Sequence, residues 1–304
     1  MPVGTHVEQT ARYLRMLLAR AGEYRARWAP GAGAGADGTD IDYTAVARVL
    51  APTDDRQTPV DRQLTGTIQR ALEGSSLDHA VLTRFVEAFA LHPPHARRLA
   101  ALLDGEPTVR AVSREPRSDA PLLDLTGARQ YETLSLYESH LVGPDGLPAE
   151  HQTIQVIRSR VDQLVSLPYC SDTDDLVVEV VKGGVVGDTM YPVGDSLFAV
   201  DILLHRPLAK GHSTLLRYHS TFGYRQPPPP ELRRGVLGRA SDLTMWVRFH
   251  PDRLPRRVWR SRWDTIDESR VIDRELIELD DQLSVHHRFG VVERAVVGFS
   301  WEWD

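Results

Sequence analysis

The spacing of apolar residues changes part-way along the chain, and this change constrains the fold more than any other feature of the sequence. In the first third, apolar side chains such as Leu14, Leu17 and Leu18 recur every three or four residues, which is typical of amphipathic helices. In the second half they alternate with other residues, as in Phe198, Val200 and Ile202, which is typical of strands. The stretch between them has three prolines and little periodicity. The pattern predicts a helical domain over residues 1–105, a linker over 106–128 and a β domain over 129–304.

The composition is that of an ordinary globular protein, with 41% hydrophobic and 26% charged residues. A chain of 304 residues is longer than one hydrophobic core usually supports, so two domains are expected.

Because Cys170 is the single cysteine, an internal disulfide and a cysteine-based zinc site are excluded. No apolar run approaches the roughly 20 residues that cross a bilayer, and residues 1–10 lack the pattern of an export signal. We therefore expect a cytoplasmic protein that does not enter a membrane.

Local signals predict five helices in the first domain. Thr5 and Glu8 form a capping-box pattern, in which each side chain can bond to an amide at the start of a helix. Other capping residues, prolines and glycines bound the remaining helices. The expected helices run from about His6 toward Trp28, from Asp42 through Leu50, from Thr58 to Gly74, from Ser76 through Leu91, and from Pro93 to Gly105.

The third of these helices has an unusually polar surface. Ile68 and Leu72 can face inward, whereas the side chains around them can hydrogen-bond to bases or phosphates. The candidate DNA-binding residues are Arg62, Gln63, Thr65, Thr67, Gln69 and Arg70. We expect Gln63, Thr67 and Gln69 to lie nearest the bases, with Arg62 and Arg70 on phosphates.

Five short helices with a polar third helix that ends in Leu-Glu-Gly resemble the lambda-repressor-like (XRE) helix-turn-helix family. Thr65–Gly74 is similar to the recognition helix of that family, and Ser76–Leu91 is similar to the helix that follows it. The resemblance covers about Val7 to Gly105. It implies double-stranded DNA as a partner. The whole chain also resembles a group of actinobacterial regulators with a β domain of unknown effector, through Tyr218–Pro230 and Phe249–Trp259.

Three features favour an alternative in which the helical domain is a protein-interaction or assembly module that does not bind DNA. The connection Ala51–Thr58 is longer than the usual turn of the motif. Gly66 lies inside the third helix, where glycine costs about 1 kcal/mol relative to alanine. Residues 1–110 contain 13 arginines, no lysine and 13 acidic residues, so this region is neutral, and the net charge of the chain is -6. A neutral unit attracts DNA weakly, so tight binding would require a homodimer that reads two half-sites.

The second domain is predicted to be an antiparallel β-sandwich or barrel with about eight to ten strands. Glycine and proline turns separate its alternating runs, for example Gly143–Gly146 and Pro227–Pro230. Residues Glu231–Arg239 are expected to form one short helix. We expect this domain to supply dimer contacts, a site for an unidentified small-molecule or protein effector, or both. The fold class predicted for the chain is thus an N-terminal five-helix helix-turn-helix bundle with a C-terminal antiparallel β-sandwich.

One segment of the β domain combines arginines with tryptophans. If Arg256–Trp263 is a strand, Trp259 and Trp263 lie on one of its faces. The opposite face then presents a candidate anion or ligand surface, formed by Arg256, Arg260 and Arg262. In the alternative interpretation, the tryptophans fill the core and the arginines pair with acids such as Asp264 or Glu302.

No motif indicates catalysis, a metal or a cofactor. Gly33–Gly38 matches the spelling of a dinucleotide fingerprint, but a helix precedes it where that fingerprint needs a strand, so a loop is expected. The histidines of the β domain lack a second ligand at helical spacing. Cys170 has no histidine near it in sequence. We therefore expect a protein that is not an enzyme and that needs neither metal nor cofactor.

Overall fold

A computed structural model describes residues 5–30, 41–51, 62–113, 130–193, 197–264 and 270–304. The protein is mostly β, with 49% of the described residues in strands and 24% in helices. The described part of the chain contains six helices: α1 (His6–Ala19), α2 (Glu23–Trp28), α3 (Tyr43–Leu50), α4 (Arg62–Leu72), α5 (His79–Phe89) and α6 (Pro93–Leu103).

The prediction of a five-helix bundle is wrong, because the first expected helix is two helices. α1 ends at Ala19, and the chain turns before α2 begins at Glu23. Gly22 has a φ of 124°, a conformation that glycine adopts far more readily than other residues. The apolar spacing is helical on both sides of this turn, so the sequence pattern does not reveal the break.

Several helix boundaries do follow the local signals. Thr5 and Glu8 form the reciprocal capping box at α1, and the carboxylate of Asp42 accepts from two amides at the start of α3. Gly74 has the left-handed conformation expected after α4, with a φ of 78°. The start of α5 differs from the prediction, because Asp78 caps it and Ser76 does not. The residues predicted to begin the third helix, Thr58–Asp61, lie outside the described residues.

The helices share one hydrophobic core. α1 contributes Leu14 and Leu17, α4 contributes Ile68 and Leu72, and all four side chains are at most 1% exposed. The helical unit comprises Met1–Ala111 and two short segments from further along the chain, Asp175–Val177 and Gly223–Pro227. The second unit comprises Val112–Asp174, Val178–Phe222 and Pro228–Asp304.

Twelve strands are present in the described residues. They are β1 (Val109–Ser113), β2 (Tyr131–Val142), β3 (Pro148–Ser159), β4 (Leu164–Ser171), β5 (Asp175–Lys182), β6 (Gly184–Pro192), β7 (Phe198–Leu208), β8 (Ser213–Phe222), β9 (Glu231–Arg248), β10 (Arg257–Trp263), β11 (Val271–Ile277) and β12 (Ser284–Glu302). Nine form a sheet in the order β1-β5-β8-β3-β2-β9-β12-β10-β11, and three form a sheet in the order β4-β7-β6. Most of the predicted linker, residues 114–128, lies outside the described residues, and β1 occupies the part before it.

The prediction of an antiparallel sandwich is also wrong, because the large sheet is mixed. β2 pairs with β9 in parallel, from Thr133 opposite Ala240 to Leu141 opposite Arg248. Side chains alternate between the two faces of a strand in parallel and antiparallel pairs alike, so alternation in sequence does not reveal strand direction. The region predicted as a short helix is the first half of β9, where Leu232 lies opposite Phe299 of β12.

The core of the second unit lies against the centre of the large sheet. Leu243, Met245 and Val247 project from one face of β9 and are fully buried. They pack in one cluster with Phe249 and Phe299, which are at most 1% exposed. The cluster also includes Val258 of β10, the strand that carries Arg260 and Arg262 of the candidate ligand surface and directly follows Arg256.

Candidate functional site

α4 carries all six predicted DNA-binding residues on one helix. Its apolar side is buried in the helical core through Ile68, Ala71 and Leu72. The opposite side is exposed at Arg62, Gln63, Gln69 and Arg70. Thr65 and Thr67 are half-buried at the edges of the buried side, since Thr65 is seven residues from Leu72 and Thr67 is four residues from Ala71. We call these six residues the α4 face. The arrangement follows from sequence spacing, because apolar residues three and four apart place the polar residues between them on the other side.

Hydrogen bonds along α4 fix the positions of several side chains of this face. The Thr67 hydroxyl donates to the carbonyl of Gln63 over 2.9 Å, and Arg70 Nη2 donates to the same hydroxyl over 3.3 Å. Gln69 Nε2 donates to Glu73 Oε1 over 2.8 Å. Each of these is an exposed intrahelical contact that a competing base or phosphate can replace at small cost. The face therefore has defined geometry and accessible donors.

Gly66 leaves space within the α4 face. A methyl group at this position would meet only Arg70 Nη1, at 3.6 Å, which is an ordinary contact distance. The helix therefore does not require glycine here for steric reasons. Because Gly66 has no side chain, the helix backbone at this position is less covered than it would be with a larger residue.

α3, which contacts α4, presents two further polar side chains that the sequence interpretation missed. Val46, Ala47 and Leu50 are buried, while Thr44 and Arg48, one helical turn apart, are exposed. The signal that could have found them is the same apolar spacing that identified the α4 face. Arg48 adds a third exposed guanidinium to Arg62 and Arg70 on this pair of helices.

The tryptophans and the arginines of the segment Arg256–Trp263 differ in their surroundings. Trp263 is buried at 1% exposure, and Arg274 lies over the ring of Trp259 at 4.8 Å. Arg260 pairs with Glu275 and donates to Nε2 of His287 over 3.0 Å. The two acids suggested as partners pair with other arginines, Asp264 with Arg270 and Glu302 with Arg257. Exposed Arg256 immediately precedes β10.

Two of the three predicted arginines meet at one cavity of about 360 Å³. Arg260 and Arg262 form part of its wall, and Val292 and Val297 are among its apolar residues. Asp273 and Glu293 also line it, so two carboxylates balance the two guanidinium groups. β12 is irregular beside the cavity, with register shifts between Arg288 and Gly290, Gly290 and Val292, and Glu293 and Ala295. The cavity has the size of a small-ligand site, but its lining does not favour an anion as such.

A cluster of buried ionisable side chains lies elsewhere in the β unit, and no sequence spacing pointed to it. Glu138 Oε1 accepts from Arg234 Nη1 over 2.9 Å and lies 3.7 Å from His151 Nε2. The Nδ1 atoms of His140 and His151 are 3.3 Å apart. Glu138 and His140 share one face of β2, whereas their partners come from β3 and β9. These contacts depend on strand pairing, which the sequence pattern does not show.

The pKa values within this cluster follow from burial and charge. Burial alone would raise the pKa of Glu138, but Arg234 and the two histidines hold it below the usual value. Burial, together with the neighbouring His151, lowers the pKa of His140 to about 3. Burial also raises the pKa of the Cys170 thiol, which therefore stays protonated and weakly nucleophilic. The cluster thus contains an ion pair beside a neutral histidine.

Neither a metal-binding cluster nor a membrane-spanning helix is found among the described residues. In the described ranges, no three His, Cys, Asp or Glu side chains gather so that they could hold a metal ion. None of the helices that the structure describes is long and apolar enough to cross a membrane.

Comparisons with known proteins give little further information. No protein-family model matches the chain, and no curated protein matches it. A solved structure of a "putative protease" from Parabacteroides distasonis is similar at a TM-score of 0.36 and 10% identity. The match covers 57% of this chain and 40% of that one, so this chain spans less than half the length of its structural neighbour. Similarity at this level supports no conclusion about fold or function.

Proposed function

We propose that the protein is a DNA-binding transcriptional regulator that acts in the cytoplasm, with no catalytic role. The observation that carries this proposal is the α4 face, a row of accessible hydrogen-bonding side chains on a helix whose other side is anchored in a core. A helix of this kind fits the major groove of DNA. The β unit would provide dimer contacts, a site for an effector, or both.

The α4 face offers different chemistry to bases and to the backbone. The amides of Gln63 and Gln69 can bond to an adenine edge through two hydrogen bonds, and Thr67 can donate to a base or contact a thymine methyl group. Arg62 and Arg70 would contact phosphates, together with Arg48 of α3. Phosphate contacts of this kind position the helix, and the glutamines supply sequence preference.

The neutral charge of residues 1–110 makes a single helical unit a weak DNA ligand. The exposed guanidinium groups of Arg62 and Arg70 on α4, with that of Arg48 on the adjoining α3, supply local attraction but no strong long-range field. A dimer doubles the phosphate contacts and restricts the second binding event to the same DNA molecule, which raises overall affinity. We therefore propose that the functional form is a homodimer.

Selection of bound sequences from a random double-stranded DNA pool, at two salt concentrations, tests the proposal. The variant Gln69→Ala/Arg70→Ala should lose at least about tenfold in affinity for the selected sequence, because both a base contact and a phosphate contact are removed. Its melting temperature should remain near that of the unmodified protein, since both side chains are exposed. Arg15→Ala on α1 is the matched control, because it removes an equal charge from an exposed position outside α4.

Absence of any salt-sensitive enrichment from the pool would refute the DNA-binding proposal. Recovery of a stoichiometric protein partner in place of DNA would then select the alternative, an interaction or assembly module. The charge balance of residues 1–110 is the observation that favours this second candidate.

A further inference from the structure

The outer strand of the large sheet has an exposed edge with apolar side chains. β11 is the last strand in the sheet order, and within the described residues it hydrogen-bonds only to β10. Leu276 is 60% exposed and Ile272 is 49% exposed, high values for large apolar side chains. An open edge of this kind presents unpaired backbone donors and acceptors and is a template for another strand.

We propose that β11 pairs antiparallel with β11 of a second copy of this chain, so that the large sheet continues across a homodimer. A second copy is the occupant because the sequence of β11 is complementary to itself in one register. The pairing would place the dimer contacts of the proposed regulator at β11, and it can be measured without DNA.

Two-fold symmetry limits the registers that are available. The symmetry axis must be perpendicular to the sheet, since directly opposed residues in antiparallel strands point to the same face. One residue of β11 therefore lies on the axis and opposes its own copy. With Asp273, Arg274 or Glu275 on the axis, two identical charges would face each other. Like charges in directly opposed positions are destabilising, so these registers are disfavoured.

The apolar positions of β11 separate the remaining registers. Val271 and Ile272 are disfavoured as axis positions, because β11 is bulged there: Asp273 opposes Arg262 and Val271 opposes Trp263, which leaves Ile272 without a partner on β10. With Ile277 on the axis, the exposed Leu276 would face Glu278 of the partner copy, and the central position would go to Ile277, which is already half-buried against the core cluster. None of these arrangements buries the most exposed side chain of the edge.

Placing Leu276 on the axis puts the most exposed side chain of the edge against an apolar partner, while the half-buried Ile277 opposes Glu275 of the partner copy. Leu276 then contacts its own copy, and Arg274 opposes Glu278 of the partner copy on each side of the axis. The three side chains share the even-numbered face of β11, where Arg274 already lies over the ring of Trp259. Glu278 is exposed and directly follows the strand, so the pairing extends β11 by one residue.

The size of this contact indicates a weak dimer. A few residues of paired backbone, one apolar contact and two ion pairs cover less surface than a standard stable interface of roughly 1,600 Å². Dissociation is therefore expected in the micromolar range of protein concentration. Such a dimer would be reinforced when both copies bind one DNA molecule.

Sedimentation of the full chain over a range of concentrations tests the pairing. Leu276→Glu should remove the dimer, because it places two carboxylates on the axis, whereas Val165→Glu on β4 should leave it intact. Val165 is a suitable control because it is also an exposed apolar residue, at 55% exposure. The single exchanges Arg274→Glu and Glu278→Arg should each weaken the dimer at least about tenfold, and the double exchange should restore it. A dimer that survives Leu276→Glu, or single exchanges that the double exchange does not restore, would overturn the proposal.

A covalent cross-link tests the register directly. In a Cys170→Ala background, which removes the single native thiol, Leu276→Cys should form a disulfide-linked dimer under mild oxidation. Directly opposed residues in antiparallel strands have Cα atoms about 4.5–5.5 Å apart, which is within the range that a disulfide spans. Val165→Cys in the same background should cross-link no faster than by random collision. Equal cross-linking of the two variants would contradict the register. Loss of DNA binding with an intact cross-link would refute the regulator and leave the dimer standing.

Discussion

Glu138 shows how a single charged side chain can depend on neighbours that are distant in sequence. Its side chain is 2% exposed and is paired with Arg234, 96 residues further along the chain. A buried carboxylate without a partner is strongly destabilising, whereas a paired one is tolerated. The ion pair therefore ties β2 to β9, the two strands whose parallel pairing distinguishes this sheet from a simple sandwich.

Replacement of Arg234 by methionine should destabilise the β unit by about 3 kcal/mol or more, because Glu138 would remain buried and uncompensated. Urea unfolding measures this change. The double variant Glu138→Gln/Arg234→Met should recover much of the loss, since it removes both charges and leaves no isolated ion. An Arg234→Met variant as stable as the original protein would show that buried Glu138 does not depend on Arg234.

His140 should make the β unit sensitive to mild acid. Its pKa is lowered to about 3 in the folded protein, so the unfolded chain binds a proton at higher pH than the folded one does. Stability is therefore complete above the ordinary histidine pKa of about 6.5 and falls as the pH decreases from there toward 3, by up to about 1.4 kcal/mol per pH unit. Around His140 lie the titratable groups of Glu138, His151 and Arg234, and a lowered pKa of Glu138 adds loss at still lower pH.

The measurement is the free energy of unfolding at about pH 7 and about pH 5, where the carboxylates contribute least to the difference. His140→Gln should reduce the loss between these two values, because glutamine does not titrate. His212→Gln, at an exposed position, should leave the loss unchanged. The same pH dependence in the original protein and in His140→Gln would assign the acid sensitivity to other groups.

At the scale of single elements, the glycine within α4 and the glycine that follows it have opposite requirements. Gly66 is helical and its missing side chain would meet only a flexible arginine end. Gly74 has a φ of 78°, and a methyl group there would lie 3.0 Å from the backbone of Glu8. One glycine is therefore dispensable for folding and the other is not.

Gly66→Ala should stabilise the helical unit by up to about 1 kcal/mol, because alanine has the higher helix propensity. Gly74→Ala should destabilise it by about 1–2 kcal/mol, through the left-handed backbone and the close contact with α1. Thermal unfolding of both variants measures the two effects. Destabilisation by Gly66→Ala would mean that the open backbone at this position has a structural use that the contacts do not reveal.

Local chemistry explains which elements could be predicted from the sequence. The capping box at Thr5, the cap at Asp42 and the left-handed Gly74 depend on residues close in sequence, and all three predictions are confirmed. The exposed side of α4 follows from the spacing of Ile68 and Leu72 in the same way. The sheet depends on long-range pairing, so the parallel contact of β2 with β9 and the strand at Glu231–Arg239 could not be inferred from alternation alone.

At the scale of the whole molecule, information about the candidate sites is distributed unevenly. The α4 face is continuous in sequence, so a pattern of residues was enough to propose it. The cavity beside β12 and the buried cluster around Glu138 each join residues whose proximity follows from the fold. The edge at Leu276 is continuous in sequence, but its position at the end of the sheet follows from the fold. The functional hypotheses about the β unit therefore depend mostly on the structure, whereas the hypothesis about the helical unit depends mostly on the sequence.

The two proposals meet in one expectation about DNA affinity. If the dimer through β11 brings two α4 faces to one DNA molecule, Leu276→Glu should reduce affinity for a fragment with two half-sites by about 100-fold or more, because the second binding event loses its effective concentration. Its affinity for a fragment with one half-site should stay the same, since α4 is unchanged. Titration of both fragments with the original protein, Leu276→Glu and Val165→Glu measures this difference. Equal loss on both fragments would indicate damage to the DNA-binding unit itself, and no loss on either would place the functional dimer contact elsewhere on the molecule.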